Sequence, residues 1–171
     1  IKAYEKDKFP ITILRPSLTY GSKLGLYRQI STDSSWIDRI RKGKPILICD
    51  DGSARCQFLH VNDAAYVFIS LLGRKECFGE VYNVVNEKPL TWKEYHIEAM
   101  NAIGKKVELI EVPFKDLSKF KIPRFGLCQD YTSHDAYYSS EKLLKILPKF
   151  KSKISLNEGM HEVFKSMDED G

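Results

Sequence analysis

His60 and Asp63 have side chains whose types and spacing could form a chemical site. They stand three residues apart in the stretch HVND, and on a helix this spacing places an imidazole and a carboxylate on one face, as in a metal or acid/base pair. The same spacing also fits a helix start, where a short polar side chain caps free backbone N–H groups. Asn62 or Asp63 as the cap predicts a helix over residues 64–72, closed by Gly73. We therefore interpret His60 and Asp63 as structural.

The cysteines show neither a metal-binding nor a disulfide pattern. No CxxC pair is present among the four cysteines, which are 7, 21 and 51 residues apart. We predict free, buried thiols and no metal site at the four positions Cys49, Cys56, Cys77 and Cys128.

A second candidate site is the stretch ITILRPSLTYG, residues 11–21. A strand predicted over residues 11–14 runs into Arg-Pro and ends at Tyr-Gly, which is typical of a loop that lies against a ligand. Arg15 follows this buried strand and needs a carboxylate, because an unpaired guanidinium is costly to bury. Asp63 is the predicted partner of Arg15.

Composition places the chain among globular proteins. The sequence is 43% hydrophobic and 29% charged, with a formal net charge of +4. No apolar run approaches the roughly 18 residues that a membrane-spanning helix needs, and no signal-peptide pattern begins the chain. We expect an intracellular, cytoplasmic protein without a membrane partner.

Hydrophobic periodicity predicts strands that alternate with helices. Thr91 and Glu94 form a capping box for a helix that ends at Gly104, while residues 113–131 are predicted to be mostly loop. The further strands are predicted at 46–49, 57–61, 79–85 and 107–112, and the further helices at 27–42, from Ser139 or Ser140 to Pro148, and from about Leu156. This alternation indicates an α/β fold with parallel pairing. A sheet of so few parallel strands would have an unpaired edge and a face that no helix covers. We therefore expect the sheet to be incomplete.

Five motifs, in their order along the chain, carry a family resemblance. LRPSLTYG, GKPILICDDGSARCQFLHVNDAA, GEVYNVVNEKPLTWKEY, AYYSSEKLLKIL and ISLNEGMHEVF together resemble the C-terminal half of an extended, atypical short-chain dehydrogenase/reductase of the NAD-dependent epimerase/dehydratase family. The resemblance implies the last part of a Rossmann-like parallel sheet at residues 1–20 and 61–90. It implies a small mixed α/β substrate domain at residues 21–60 and 91–171.

The same resemblance implies an activity that needs residues outside this sequence. Members use NAD or NADP for hydride-transfer-linked epimerisation, dehydration or reduction of a small-molecule substrate, and a tyrosine takes the hydroxyl proton. An N-terminal half supplies the glycine-rich pyrophosphate loop and the YxxxK pair, and these 171 residues contain no such loop. We therefore expect the missing half as a partner, self-association as a possibility for the isolated chain, and neither bound cofactor nor activity in the chain alone.

Tyr4 and Lys8 spell YxxxK, but they are not predicted to be catalytic. In the family this pair lies a full helix further upstream of the strand that carries Arg-Pro. Lysine and tyrosine are both common here, and the segment fits a solvated helix end. No catalytic residue is expected in this chain.

Pro16, Ser17 and Leu18 are the cofactor-binding residues that the resemblance implies. They follow the strand at the place where family members meet the nicotinamide, and Ser17 is the best single candidate. An ordinary turn after a strand-ending proline is the alternative interpretation.

Substrate-binding residues follow from the same resemblance. Nucleotide-sugar enzymes of the family place Asn where this chain has Leu18, and a phosphate-binding Arg where it has Cys56, with Arg55 one residue early. A third family Arg corresponds to the neighbourhood of Thr132. These replacements argue against a UDP-sugar substrate. The predicted substrate contacts are Leu18, Thr19, Tyr20, Arg55, Cys56 and Thr132.

An RNA-associated scaffold on the same fold is the alternative function. The stretches WIDRIRKGKPILICDDGS and VYNVVNEKPLTWKEY are similar to a branch that includes chloroplast stem-loop RNA-binding proteins. Two basic groups, around Arg39–Lys44 and Lys142–Lys153, would have to serve as the RNA surface, although lysines on a helix face are usually solvated. A protein-interaction module is a third alternative.

Overall fold

The computed structural model describes residues 2–169, and the fold is mixed α/β. The strands are β1 (Ile13–Pro16), β2 (Leu18–Tyr20), β3 (Ile46–Cys49), β4 (Arg55–Cys56), β5 (Phe58–His60), β6 (Val81–Val84), β7 (Leu90–Thr91) and β8 (Leu109–Val112). The helices are α1 (Lys2–Asp7), α2 (Ser35–Arg41), α3 (Val61–Leu71), α4 (Trp92–Ile103), α5 (Phe114–Leu117), α6 (Glu141–Ile146) and α7 (Leu156–Glu169). None of the helices within this described range is long and apolar enough to cross a membrane.

Strand pairing is parallel in three of the four pairs that the structure describes. β1 pairs with β6, β2 with β5 and β3 with β8 in parallel, while the short pair of β4 and β7 is antiparallel. The predicted parallel α/β arrangement is therefore confirmed, with β4 and β7 as the exception. In the β1–β6 register, Ile13 lies opposite Val81 and Pro16 opposite Val84.

Buried side chains form two main clusters. The larger one lies between α2, α4 and α7 and contains Trp36, Trp92 and Tyr95. The second lies between α3, β6 and α6. The two predicted domains, 1–20 with 61–90 and 21–60 with 91–171, stay a prediction.

Capping explains why α4 and α7 begin where the sequence predicts. Thr91 Oγ1 accepts from the Glu94 N–H at 3.1 Å, and the Thr91 N–H donates to the Glu94 carboxylate at 2.7 Å. Ser155 and Glu158 make the same reciprocal pair in front of α7. Two capping boxes therefore fix both helix starts locally.

Three predicted elements differ from the structure. Helix 27–42 is confined to α2, because Asp33 Oδ1 accepts from the Ser35 N–H at 3.1 Å and so holds the preceding Ser/Thr-rich segment as a turn. α3 starts at Val61 rather than after an Asn62 or Asp63 cap, because His60 Nδ1 accepts from the Asn62 N–H at 3.3 Å. The predicted loop 113–131 contains α5 and the beginning of a π-helical turn, Cys128–Thr132.

All four cysteines are free and buried, as predicted. Within residues 2–169, no group of three or more His, Cys, Asp or Glu side chains is placed to hold a metal ion.

Gly159 lets α7 approach the end of β2. A Cβ at this position would lie 2.6 Å from Tyr20 Cε2 and 2.7 Å from Tyr20 Oη. We expect Gly159→Ala to lower the free energy of unfolding by about 1–3 kcal/mol, because the extra methyl group would force buried groups apart. Urea unfolding midpoints measure the loss.

Gly126→Ala is the matched control for this substitution. A Cβ at Gly126 would meet nothing within 4 Å. The control should stay within about 0.5 kcal/mol of the parent protein. Equal effects of the two alanines would contradict the close approach of α7.

The burial of His96 leads us to predict a loss of stability in mild acid. The residue is fully buried, Nδ1 lies 2.6 Å from the Trp92 carbonyl oxygen, and burial lowers the pKa of His96 from 6.5 to about 4. Between these two pH values the unfolded chain binds a proton that the folded chain does not. The free energy of unfolding should therefore fall as the pH drops from about 6.5 to about 4, by up to about 3 kcal/mol for this group.

The comparison of the parent with His96→Phe isolates this contribution from that of the carboxyl groups. Phenylalanine fills a similar space among the aromatic rings and cannot be protonated. The variant should show a shallower decline in unfolding free energy over the same pH range. Parallel pH profiles of the two proteins would show that His96 is protonated in the folded state.

Candidate functional site

A cavity of about 590 Å³ opens at the carboxyl end of β1. One wall comes from the turn between β1 and β2, and the opposite wall comes from the segment around the π-helical turn. The lining residues are Arg15, Pro16, Ser17, Leu18, Asn83, Leu127, Tyr131 and Tyr138. The structure therefore brings the three predicted cofactor-binding residues, Pro16, Ser17 and Leu18, to one cavity.

Ser17 combines a fixed backbone with an unused hydroxyl. Its N–H donates to the Val84 carbonyl oxygen at 3.1 Å, so the turn continues the β1–β6 pairing. Its Oγ is buried and makes no hydrogen bond to any of residues 2–169. A buried hydroxyl without a partner is uncommon and costs free energy, and it is a reason to look for a ligand.

The predicted ion pair between Arg15 and Asp63 is wrong. Asp63 is buried, and its carboxylate accepts from Ser152 Oγ at 2.8 Å and from the backbone N–H groups of Lys153 and Ile154 at 3.1–3.2 Å. Arg15 is exposed and lines the cavity. Backbone donors satisfy the buried carboxylate without the ordering of a long side chain, and Arg15 is left free to face the cavity.

Tyr131, Tyr138 and Leu127 form the wall that sequence reasoning missed. Burial and a hydrogen bond to the Tyr138 hydroxyl raise the pKa of Tyr131 above its usual value, so the Tyr131 ring presents a neutral phenol. The only signal in the sequence is the aromatic pair Tyr137-Tyr138 in a polar segment. Nothing local indicates that this segment lies against residues more than a hundred positions earlier.

Several predicted substrate contacts lie away from the cavity lining. Tyr20 is buried, its hydroxyl donates to the Ser155 carbonyl oxygen at 3.4 Å, and Thr19 pairs with Leu59 in β5. Cys56 is fully buried and Thr132 donates to the Gln29 carbonyl oxygen. Contact of these residues with a substrate stays a prediction.

Arg55 is occupied by an acidic partner. Its Nη2 donates to Asp135 Oδ2 at 2.7 Å and to the Tyr137 hydroxyl at 3.0 Å, and the guanidinium lies 4.3 Å from the centre of the Tyr137 ring. Arg55 Nε also donates to Asp135 Oδ2, at 3.1 Å. These two hydrogen bonds to one carboxylate neutralise the positive charge that would otherwise bind a phosphate.

The contacts of the His60 side chain are those of a structural residue. Nδ1 caps α3, while Nε2 lies 3.2 Å from Glu162 Oε2 but outside hydrogen-bonding geometry. The ring packs edge-on against Tyr20. One ring nitrogen of His60 is therefore satisfied by the backbone, and the other has no hydrogen-bond partner among residues 2–169.

Tyr4 and Lys8 lie close together at the end of α1. The Lys8 N–H donates to the Tyr4 carbonyl oxygen at 2.9 Å, and Lys8 Nζ lies 5.2 Å from the centre of the Tyr4 ring. Lys8 stands just past α1, which ends at Asp7, and has a left-handed backbone with φ of 54°. The Tyr4 ring packs against Gly79, and neither residue lines the cavity at the end of β1.

Solved structures with the same fold are extended epimerases and related enzymes. RMD from Pseudomonas aeruginosa, complexed with NADPH, superposes with a TM-score of 0.72 at 14% identity over 99% of this chain and 52% of its own. UDP-glucuronic acid 4-epimerase from Bacillus cereus, in complex with UDP-glucuronic acid and NAD, gives 0.71 at 16% identity over 98% and 48%. The fold is thus that of the Rossmann-fold epimerases, and the chain spans about half their length.

Sequence comparison points to one family. Residues 1–84, about half of the chain, match the model of the NAD dependent epimerase/dehydratase family. The chain is thus a partial match to this family.

Two curated relatives are similar over shorter stretches. The chain is 28% identical over 101 residues, or 59% of its length, to 2'-dehydrokanamycin reductase of Streptomyces kanamyceticus, and covers 29% of that protein. It is 28% identical over 81 residues, or 47% of its length, to the chloroplast stem-loop binding protein of 41 kDa b of Arabidopsis thaliana, of which it covers 20%. The chain spans less than a third of either relative.

Ser17 can be tested for a role that folding does not require. We expect Ser17→Ala to leave the free energy of unfolding unchanged or slightly higher, because the substitution removes a buried hydroxyl without a described partner. Thr132→Val should cost about 1–3 kcal/mol, because it removes a buried hydroxyl that donates to Gln29. Chemical denaturation of both variants measures the contrast, and a loss in Ser17→Ala equal to that in Thr132→Val would show that Ser17 serves folding.

Proposed function

We propose that this chain forms the substrate-side wall of a nicotinamide site in an NAD(P)-dependent epimerase, dehydratase or reductase. The observation that carries the proposal is the unused Ser17 hydroxyl in the cavity at the carboxyl end of β1. Ligands of open parallel sheets bind outside the carboxyl ends of the strands. The partial match to the NAD dependent epimerase/dehydratase family supports the choice of cofactor.

The residues of the cavity suit the nicotinamide end of the cofactor. Ser17 Oγ offers one donor and acceptor for a carboxamide, while Pro16 and Leu18 offer apolar surface for a ring. When bound, the nicotinamide supplies the acceptor or donor of a hydride. The chain orients the ligand and excludes water, and the groups that transfer the proton are proposed to lie outside these 171 residues.

The substrate is proposed to be something other than a UDP-sugar. Leu18 cannot hydrogen-bond a sugar hydroxyl, and Arg55 is neutralised by Asp135. Each charge-assisted hydrogen bond to a phosphate is worth about 1.5–3 kcal/mol, so a diphosphate would bind poorly here. The name of the relative 2'-dehydrokanamycin reductase supports reduction of a ketone on a non-nucleotide carbohydrate.

The partner that this proposal needs is the remainder of a dinucleotide-binding fold. An apolar groove of about 490 Å³ runs between the start of β1 and the end of α3, and its wall includes Ile69, 74% exposed, and Leu72, 84% exposed. Parallel sheets are normally covered on both faces, so this groove is a suitable surface for the other half. A second copy of the chain is the alternative occupant. A cytoplasmic location belongs to the same proposal.

Three cations of the two basic groups are already paired, which argues against the RNA-associated alternative. Lys42 pairs with Asp38 at 2.8 Å, Arg41 with Asp168 at 2.6 Å, and Lys142 with Glu80 at 2.6 Å. Charges that are already paired contribute little to phosphate binding.

Titration with NAD and NADP tests the proposed function. We expect the full-length protein that carries this chain to gain about 2.7 kcal/mol of stability at a cofactor concentration a hundred times the Kd, seen as a higher melting temperature. Ser17→Ala should weaken cofactor binding about tenfold, because it removes one hydrogen bond in a buried site. The isolated 171-residue chain should show no shift.

Ser53→Ala is the control for the titration. Ser53 is exposed in the turn after β3 and lies outside the cavity lining, so its substitution should leave the Kd unchanged. If neither nucleotide raises the melting temperature of the full-length protein, the proposed function is wrong.

A further inference from the structure

Gln57 is a buried glutamine whose side-chain amide hydrogen-bonds to the backbone of another residue, as a neighbouring strand would. It stands between β4 and β5 and is 2% exposed. Its Oε1 accepts from the Tyr138 N–H at 2.8 Å, and its Nε2 donates to the Tyr138 carbonyl oxygen at 3.2 Å. One primary amide thus exchanges an N–H···O=C pair with a single residue, which is the pattern of an antiparallel hydrogen-bonded pair.

A third bond fixes the orientation of this amide. Nε2 also donates to the Asn86 carbonyl oxygen at 2.5 Å, just beyond β6. Both donor hydrogens and one acceptor position of the side chain are therefore used. The amide cannot rotate without breaking bonds in a buried place, so it is a rigid support. We call this arrangement the Gln57–Tyr138 bridge.

Tyr138 depends on the bridge for its position. Residues 135–140 form neither helix nor strand, and the Tyr138 side chain is partly exposed where it lines the cavity. Neighbouring residues are held from other points, through the Ala136 N–H to the Arg55 carbonyl oxygen and through Asn83 Nδ2 to the Ser139 carbonyl oxygen. Within residues 2–169, both backbone hydrogen-bonding groups of Tyr138 are described as bonded to Gln57.

We propose that Gln57 is a positioning residue for the candidate site: through its bridge to the Tyr138 backbone, it holds the Tyr138 ring against the cavity and so determines how tightly a ligand binds there. Gln57 does not line the cavity itself. The proposal rests on the proposed function, because it requires that the cavity bind a ligand.

Methionine is the informative replacement for Gln57. It keeps the length and most of the volume of the side chain, so the core between β4 and β5 stays filled. It has no amide, so the Tyr138 N–H and C=O lose their partners. Buried backbone groups that lose partners move to water, and the segment that carries the Tyr138 ring is expected to leave the cavity wall.

Amide hydrogen exchange tests the bridge in the full-length protein without any ligand. We expect the peptide that contains Tyr138 to exchange about tenfold faster in Gln57→Met than in the parent. Ser155→Ala is the control, because it removes the α7 cap, whose Oγ accepts from the Glu158 N–H at 3.2 Å, and leaves the bridge intact. Unchanged exchange in Gln57→Met, or equal acceleration in both variants, overturns the proposal.

A double-mutant cycle tests whether Gln57 acts through Tyr138. The Kd for NADH and for NADPH is measured by fluorescence for the parent, Gln57→Met, Tyr138→Ala and the double variant. We expect each single variant to bind about five- to tenfold more weakly, and the double variant to bind no more weakly than Tyr138→Ala alone. A purely structural role would instead give losses that multiply, and that result overturns the proposal.

The two experiments separate this inference from the proposed function. A parent protein that binds neither nucleotide overturns the proposed function, and the exchange measurement alone then decides whether the bridge holds Tyr138. A parent that binds a nucleotide, together with an unchanged Kd in Gln57→Met, supports the proposed function and overturns the positioning role.

Discussion

The parallel pairing of β1 with β6 is the interaction on which the candidate site depends. It joins two segments that are far apart in sequence, and pairs Ile13 with Val81 and Pro16 with Val84. The pairing continues into the turn, where the Ser17 N–H donates to Val84, and so it places Ser17 and Asn83 at one edge of the sheet. Because carboxyl ends of parallel strands meet at the same edge, the cavity arises there without any dedicated binding element.

A single buried carboxylate connects this sheet to the C-terminal helix. Asp63, in the first turn of α3, accepts hydrogen bonds from the segment 152–154 that leads into α7. Breaking such a fully bonded buried carboxylate would leave a charge without partners, which is far more costly than losing a surface ion pair. α7 then packs against β2, where Gly159 lies against the Tyr20 ring. This packing fixes the end of β2.

The fold and the contacts of the site are separate matters in this chain. The chain shares its fold with epimerases at 14–16% identity, and a shared fold does not fix which side chains reach a site. Arg55, for example, is bonded to Asp135 and Tyr137 and does not line the cavity. Gln57 is bonded to the backbone of Tyr138, whose ring does line it.

Local chemistry in the sequence by itself determined the mixed α/β class, the capping box at Thr91 and the start of α7, because each depends on neighbours within a few residues. The spacing of the cysteines indicated free thiols, and the family resemblance indicated Pro16, Ser17 and Leu18. Only the tertiary structure decided that Asp63 binds the 152–154 segment, that Arg15 faces the cavity, and that Tyr131 and Tyr138 form its second wall. Those outcomes depend on contacts between residues about 70 to 120 positions apart. At such separations several residues of the same chemical type could be the partner, and only the packing of the folded chain decides which one is.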